Sequence, residues 1–140
     1  MPEKKPTVLF VCVHNAGKSQ MAAALMRAKA GDAVNVLSGG THPGDELNGP
    51  AQIAASELEA SMDGEYPKEI TDEVFMNADR IVILGNEAKL ARVEGMHGTI
   101  ETWLTPEPGE EVGDKLAQTR IIRDDIARRV DALFDQMVIA

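Results

Sequence analysis

The single cysteine of this 140-residue chain, Cys12, stands between an apolar run and a segment with helical periodicity. Residues 8–12 (Val-Leu-Phe-Val-Cys) are rich in β-branched and aromatic side chains, as is typical of a buried parallel strand. From Lys18 onward, apolar residues recur at helical spacing. A loop between a strand and a helix directs backbone N–H groups toward the helix N-terminus, where anions bind. Residues 12–19 therefore predict an oxyanion-binding loop that contains a cysteine and a lysine.

Cys12 has two possible roles. Free cysteines are often small buried hydrophobic residues, so a packing role is one of them. A thiol beside a helix N-terminus and a cation ionises more readily, however, and the thiolate is the nucleophilic form. Because Cys12 ends a strand and opens a loop that contains Lys18, we expect it to act as a nucleophile.

The same loop has a competing interpretation as a nucleotide-binding loop. Residues 16–19 (Ala-Gly-Lys-Ser) resemble the end of the motif G-x-x-x-x-G-K-[ST]. The first glycine of that motif would stand at position 12, where this chain has Cys12. No aspartate clearly ends a later apolar strand to help hold Mg²⁺, since Leu84 is followed by Gly85 and Asn86. Both differences disfavour nucleotide binding.

Composition excludes several classes of function. The net charge of −9 argues against nucleic-acid binding, which depends on basic surface. No apolar run approaches the roughly 18–20 residues of a membrane span, and residues 1–6 are polar and predict no signal peptide. One cysteine cannot form an internal disulfide, so we expect a cytoplasmic protein. His14, His42 and His97 lie in separate loops without metal-ligand spacing, so we expect no catalytic metal and no tightly bound cofactor.

Strands and helices alternate along the chain. The patterns predict strands at 8–12, 34–38, 80–85 and 99–103, and helices at 18–30, from Pro50, from an N-cap at Thr71, and at 115–138. Short connections between alternating elements indicate one domain, residues 1–140, with a three-layer α/β/α fold around a four-stranded, mostly parallel sheet. Such sheets bind ligands at the carboxyl ends of their strands, where Cys12 lies.

The same patterns predict which side chains are buried. The helix from Pro50 should carry Ile53, Ala54, Leu58 and Met62 inward, and the last helix should bury Ile122, Ile126, Val130, Leu133, Phe134 and Met137. Tyr66 and Trp103 are expected to pack in the core. Four arginines in the last helix alternate with acids and predict a solvated face: Arg120, Arg123, Arg128 and Arg129.

Cys12, five further residues, a cation and Ser19 resemble the loop C-x5-R-S of the low-molecular-weight protein tyrosine phosphatase superfamily. Residues 38–41 (Ser-Gly-Gly-Thr) and 48–50 (Asn-Gly-Pro) are similar to two other segments of that superfamily, and the resemblance covers nearly the whole chain. Within it, residues 12–22 look most like the arsenate reductases, whose loop continues Ser-Gln-Met-Ala. The resemblance implies the same α/β fold.

Two differences from the thioredoxin-coupled arsenate reductases indicate which branch of the family the chain resembles most. Thioredoxin-coupled arsenate reductases carry two further cysteines after the third strand, near residues 86–90 here, and this chain has none. Lys18 also replaces the arginine of the loop. Both traits resemble the arsenate–mycothiol transferases, which implies arsenate as substrate, mycothiol or another low-molecular-weight thiol as co-substrate, and a mycoredoxin-like reductase downstream.

The resemblance also implies a role for each site residue. Cys12 would attack arsenate, Ser19 would donate its hydroxyl toward the thiolate, and Asn15 would hold the shape of the loop. The oxyanion-binding residues would be Val13, His14, Asn15, Ala16, Gly17, Lys18 and Ser19. Aligned on Trp103, the family's general-acid aspartate falls at Glu107, although Glu110, Glu111 and Asp114 lie nearby and a solvated acidic loop is the alternative.

Two other functions stay open at this point. The first is a low-molecular-weight protein tyrosine phosphatase, which Lys18 disfavours because an ammonium cannot present the planar fork of a guanidinium to two phosphoryl oxygens. The second is a non-catalytic module that binds an oxyanion and regulates another process.

Overall fold

The computed structural model of the protein describes residues 5–138 and contains a four-stranded sheet. The strands are β1 (Thr7–Cys12), β2 (Asn35–Gly40), β3 (Arg80–Leu84) and β4 (Thr99–Trp103). Their order is β2-β1-β3-β4, and each neighbouring pair is parallel. The predicted α/β fold is confirmed, with a sheet that is parallel throughout. Most of the polar segment 1–6 lies outside the described residues.

The described residues form four α-helices, of which the last follows β4: α1 (Lys18–Ala30), α2 (Gly49–Ser56), α3 (Asp72–Asn77) and α4 (Lys115–Val138). Two of them begin at side-chain caps that satisfy otherwise unpaired N–H groups. Asn48 accepts a hydrogen bond from the Ala51 N–H, and Thr71, the predicted cap, accepts one from Val74. Within residues 5–138, no helix is long and apolar enough to cross a membrane.

The two faces of the sheet support separate hydrophobic clusters because successive strand side chains point to opposite sides. Phe10 and Val82 face α1, α2 and α4, whereas Leu9 and Ile81 face α3 and the segment that follows β3. This arrangement leaves the carboxyl ends of β1, β3 and β4 along one edge, where their loops can meet.

Helix α2 differs from the prediction in length and in orientation. It ends at Ser56, and the side chains of Ile53 and Leu58 are 50% and 42% exposed. Its buried face consists of alanines, including Ala54 as predicted, because small side chains allow α2 to approach its neighbours closely. Met62 is buried, as predicted, but from the loop beyond the helix.

The aromatic and α4 predictions were partly correct. Trp103 is buried against Phe10, but Tyr66 is 64% exposed, with the Lys68 ammonium above its ring. In α4, Ile126, Val130 and Leu133 are buried, while Ile122, Phe134 and Met137 are partly buried.

The predicted solvated arginine face was wrong for Arg123, which is 8% exposed. Its guanidinium donates to the Ala54 carbonyl at 3.1 Å and to the Glu57 carboxylate at 2.7 Å. Arg120 donates to the same carboxylate at 2.9 and 2.6 Å. These contacts join α4 to α2, so Arg120 and Arg123 help to hold the two helices together instead of only facing solvent.

The Glu57 carboxylate should make stability sensitive to acid. Its hydrogen bond from Arg120, together with that from Arg123, lowers the pKa of Glu57 from 4.5 to about 2. Since the folded pKa is depressed, this stabilisation is present above pH 4.5 and is lost as pH falls toward 2. Urea unfolding of Glu57→Gln should therefore show a weaker fall in unfolding free energy across this range than the wild type. Glu94→Gln is the control and should follow the wild type; equal slopes for all three proteins would contradict the prediction.

Candidate active site

The Cys12 sulfur at the end of β1 is surrounded by hydrogen-bonding groups of the following loop. The Ser19 hydroxyl lies 2.9 Å from Cys12 Sγ, and the Asn15 backbone N–H donates to the same sulfur at 3.2 Å. The Ser19 oxygen also accepts a hydrogen bond from Asn15 Nδ2 at 2.8 Å. The hydroxyl proton of Ser19 is therefore free to be donated to Cys12, where it would stabilise a thiolate.

Asn15 fixes the turn of this loop. It is fully buried and has a φ of 52°, in the left-handed region that Asn tolerates better than most residues. Its Oδ1 accepts hydrogen bonds from the Lys68 backbone N–H at 3.0 Å and from Gln20 Nε2 at 3.1 Å. With the bond to Ser19, these contacts satisfy the amide and hold the loop open toward Cys12.

Gln20 is a positioning residue that the sequence analysis missed. It is fully buried, and its Nε2 also lies within hydrogen-bond distance of the carbonyl oxygens of Asn15 and Tyr66, at 3.2 and 3.1 Å. Its amide thus links the loop to the segment around Tyr66. The available signal was a glutamine at an inward-facing position of α1, where an apolar side chain would be usual.

The carboxyl end of β2 supports the loop from the side. A Cβ at Gly40 would lie 2.6 Å from the Val13 carbonyl oxygen and 3.1 Å from the Asn15 nitrogen. The next residues continue the contact, since Thr41 and His42 donate backbone hydrogen bonds to the Cys12 and Val13 carbonyls. The two segments approach so closely that only glycine fits at position 40.

The N-terminus of α1 supplies unpaired donors beside the sulfur. Its N-cap, Gly17, makes no side-chain capping bond, and the first turn contains no acid. The leading N–H groups of a helix have no partner within the helix and attract anions. The loop and helix start can therefore bind an oxyanion, in spite of the acidic net charge.

A pocket of about 340 Å³ opens above Cys12. Among the predicted site residues, Cys12 and six others line it: Val13, His14, Ala16, Gly17, Lys18 and Glu107. The remaining two, Asn15 and Ser19, are buried and contact the sulfur rather than the pocket lining. The structure thus brings the Glu107 carboxylate, which is distant in sequence, to the pocket that Cys12 and Lys18 line.

The pocket wall also contains residues that the sequence analysis did not select: Asn48, Leu84, Gly85, Asn86 and Glu87. Glu87 is a second carboxylate facing the same space as Glu107. Lys18 extends toward this wall, because its Nζ lies 3.8 Å from the point where a Cβ of Gly85 would stand. The signal for Gly85, Asn86 and Glu87 was their place directly after β3, at the sheet edge that holds Cys12.

Glu110, Glu111, His42 and His97 do not line this pocket, whereas His14 does. Glu110 and Glu111 belong to a short 3₁₀ helix, where Glu111 accepts a hydrogen bond from the Gly109 N–H. His14 contacts the His42 carbonyl at 3.0 Å, and His97 pairs with Asp79 at 2.7 Å. Among residues 5–138, no group of three or more His, Cys, Asp or Glu side chains could hold a metal ion.

A family profile and two relatives relate this chain to the low molecular weight phosphatases and the arsenate reductases. The profile of the low molecular weight phosphotyrosine protein phosphatase family matches residues 7–136. A putative arsenate reductase of Halobacterium salinarum is 31% identical over 132 residues, covering 91% of this chain and 89% of that protein. An arsenate reductase of Bacillus licheniformis is 29% identical over 130 residues, covering 90% and 93%.

A solved structure shares both fold and sequence with this chain. The thioredoxin-dependent arsenate reductase of Corynebacterium glutamicum superposes with a TM-score of 0.79 at 31% identity. The match covers 98% of this chain but 64% of that one, so this chain spans less than two thirds of the length of that protein.

Proposed function

Because the chain belongs to the low molecular weight phosphotyrosine protein phosphatase family, in its arsenate reductase branch, we propose that it is an arsenate reductase that transfers arsenic to an external thiol. One observation carries the proposal. Cys12 faces an oxyanion-binding loop and a carboxylate, and the chain has no other cysteine to complete an internal disulfide.

In the first step, the Cys12 thiolate attacks the arsenic of bound arsenate. A sulfur–arsenic bond forms and an arsenic–oxygen bond breaks, while Glu107 donates a proton so that the oxygen leaves as water. Lys18 and the loop N–H groups balance the charge of the remaining oxygens. The Ser19 hydroxyl, 2.9 Å from the sulfur, stabilises the thiolate before the attack.

In the second step, an external thiol attacks the same arsenic. A new sulfur–arsenic bond forms, the bond to Cys12 breaks, and the proton of the thiol passes to the Glu107 carboxylate. Cys12 leaves as a thiolate, so the enzyme returns to its starting state. Arsenic stays pentavalent here, and the two electrons that yield arsenite come from a separate redoxin acting on the arseno-thiol product.

We assign the thiol as mycothiol and the redoxin as a mycoredoxin-like reductase. The support is the combination of a lone cysteine with Lys18 in the loop, which resembles the mycothiol-dependent transferases. The test is arsenite release from arsenate with mycothiol and a mycoredoxin. If no thiol system yields arsenite, the proposal is wrong.

Phosphate-ester hydrolysis is the second candidate, because the pairing of Cys12 with Ser19 and the carboxylate of Glu107 would serve phosphoryl transfer equally well. The lysine at position 18 favours the arsenate reaction over phosphate-ester hydrolysis. A transferring phosphoryl group is held best by the bidentate fork of arginine, whereas an ammonium acts as a point charge.

Substitution of Lys18 should change the balance between the substrates. Lys18→Arg should raise hydrolysis of para-nitrophenyl phosphate from a very low level and change arsenate turnover less. Lys18→Ala removes a charge that stabilises the reacting oxyanion, so both activities should fall by roughly 10²–10³-fold. Steady-state rates with both substrates check this, with Lys115→Ala as the exposed-lysine control. Full activity of Lys18→Ala would show that the loop N–H groups alone hold the oxyanion.

A further inference from the structure

A second cavity adjoins the Cys12 pocket. This side groove, of about 330 Å³, is lined by Lys18, Gly85, Asn86, Leu104, Thr105 and Glu107. Lys18, Gly85, Asn86 and Glu107 line the Cys12 pocket as well, so the two spaces are adjacent. The groove extends the active site away from the oxyanion-binding loop, toward the loop that follows β4.

We propose that the side groove binds the thiol co-substrate and favours a neutral thiol bearing amide and hydroxyl groups over one bearing free carboxylates. This inference rests on the proposed arsenate reductase function. The loop 12–19 surrounds Cys12 from one side, so a second sulfur must reach the arsenic from the open side of the pocket. Lys18 and Glu107 line both the groove and the Cys12 pocket, so a thiol in the groove lies beside the carboxylate that takes its proton.

The walls of the groove are fixed before any ligand binds. The Gly85 N–H donates to the Trp103 carbonyl at 2.8 Å, which ties the end of β3 to the end of β4. The Leu104 carbonyl accepts a hydrogen bond from Arg129 at 2.9 Å, and Arg129 is itself held by Asp125 at 2.9 Å. A preformed site loses less conformational entropy on binding.

The lining has the chemistry of a site for a neutral polar molecule. Asn86 provides an exposed amide, and Leu104, 62% exposed, provides apolar surface. The Thr105 hydroxyl is buried without a hydrogen-bond partner in the described part of the chain, although buried hydroxyls are normally paired. Because this hydroxyl has almost no accessible surface, the Asn86 amide and the Leu104 side chain are the groups that a ligand in the groove would contact.

The charges of the groove disfavour an acidic thiol. Lys18 is the cation of the lining, and it already faces the oxyanion site. A thiol with free carboxylates, such as glutathione, would approach the Glu107 carboxylate, and the Arg129 guanidinium behind the groove wall is already paired with Asp125. The net charge of −9 adds to this repulsion.

Two substitutions in the groove test the proposal by steady-state arsenite release, with mycothiol or glutathione as the thiol and a matching redoxin in excess. Asn86→Ala should raise the KM for mycothiol about fivefold or more, as expected for loss of a hydrogen bond. The KM for arsenate should change less than the KM for mycothiol, because Asn86 lines the Cys12 pocket as well as the groove. Asn77→Ala, an exposed amide outside the groove, is the matched control.

Leu104→Lys adds a cation to the groove and should change the choice of thiol. Its kcat/KM for glutathione should rise about fivefold or more, a shift of the size that one added ionic hydrogen bond produces, while that for mycothiol falls. Leu58→Lys is the control, because Leu58 is also exposed but lies just beyond α2, outside the groove lining. It should leave both values unchanged.

The outcomes separate this proposal from the one on which it rests. The groove assignment alone is wrong if the wild type turns over with mycothiol while Asn86→Ala keeps the wild-type KM for the thiol and Leu104→Lys keeps the wild-type preference between the two thiols. Wild-type preference for glutathione over mycothiol would overturn the selection of a neutral thiol. Absence of arsenite with every thiol would overturn the proposed function, and this inference with it.

Discussion

The wild-type protein should release arsenite from arsenate only when a low-molecular-weight thiol is supplied, and Cys12→Ser should reduce the rate to background. Cys12 is the proposed nucleophile and the only cysteine of the chain, so no internal disulfide can form during turnover. Thioredoxin acts by reducing disulfides, and it therefore has no substrate on this protein. The measurement is NADPH oxidation with arsenate and either mycothiol with its redoxin system or thioredoxin with its reductase.

The comparison with thioredoxin is informative because a similar structure, from Corynebacterium glutamicum, belongs to an enzyme described as thioredoxin-dependent. That protein is the positive control for the thioredoxin arm, since it should turn over where the present protein does not. Sustained arsenate reduction by the present protein with thioredoxin alone would contradict the mechanism. Wild-type activity in Cys12→Ser would contradict the nucleophile itself.

Glu107→Gln should lower arsenate turnover by roughly 10²–10⁴-fold, the usual contribution of general acid–base catalysis. Glutamine keeps the size of the side chain but cannot give a proton to the leaving oxygen or take one from the incoming thiol. The loss should therefore appear in kcat, measured at saturating arsenate and thiol, while the folded state is unchanged by circular dichroism.

The neighbouring acids provide the controls for this assignment. Glu110→Gln and Glu111→Gln should be close to wild type, because both residues lie in the 3₁₀ helix and outside the pocket lining. Glu87→Gln is the stricter comparison, because Glu87 does line the pocket. A large loss of turnover in Glu87→Gln with little change in Glu107→Gln would show that Glu87, rather than Glu107, is the proton donor.

The sequence predicted the order and type of the elements well because their periodicities are strong. Apolar runs at 8–12 and 80–84 can only be buried strands once helices separate them, and parallel pairing then follows. The orientation of α2 was predicted wrongly because hydrophobicity ranks Ile53 and Leu58 above the alanines that do the packing. Close helix approach depends on side-chain size, which periodicity alone does not reveal.

Long-range polar contacts were the other limit of prediction. Arg123 stands among charged neighbours and resembles a solvated residue in sequence, yet its partners Ala54 and Glu57 are 69 and 66 positions away. The buried amide of Gln20 was missed for the same reason, because its partner Tyr66 is 46 positions away. Such networks depend on tertiary packing and leave little local trace.

Topology predicted only part of the site. Cys12 and Lys18 were expected at the carboxyl ends of the parallel strands, whereas Glu107 was selected through the family resemblance; all three line one pocket. The same rule, applied to the residues after β3, would also have selected Asn86 and Glu87. They were passed over because no motif marked them.

The close packing of Gly40 against the loop has a consequence for how sequence variation would be read. In a deep mutational scan, position 40 should be intolerant to every substitution, although its residue offers no functional group to arsenate or thiol. Any Cβ there would press on the Val13 carbonyl and the Asn15 nitrogen, and so would reshape the backbone around Cys12. A scan scored by growth on arsenate would thus mark Gly40 as strongly as it marks the catalytic residues, for a purely steric reason.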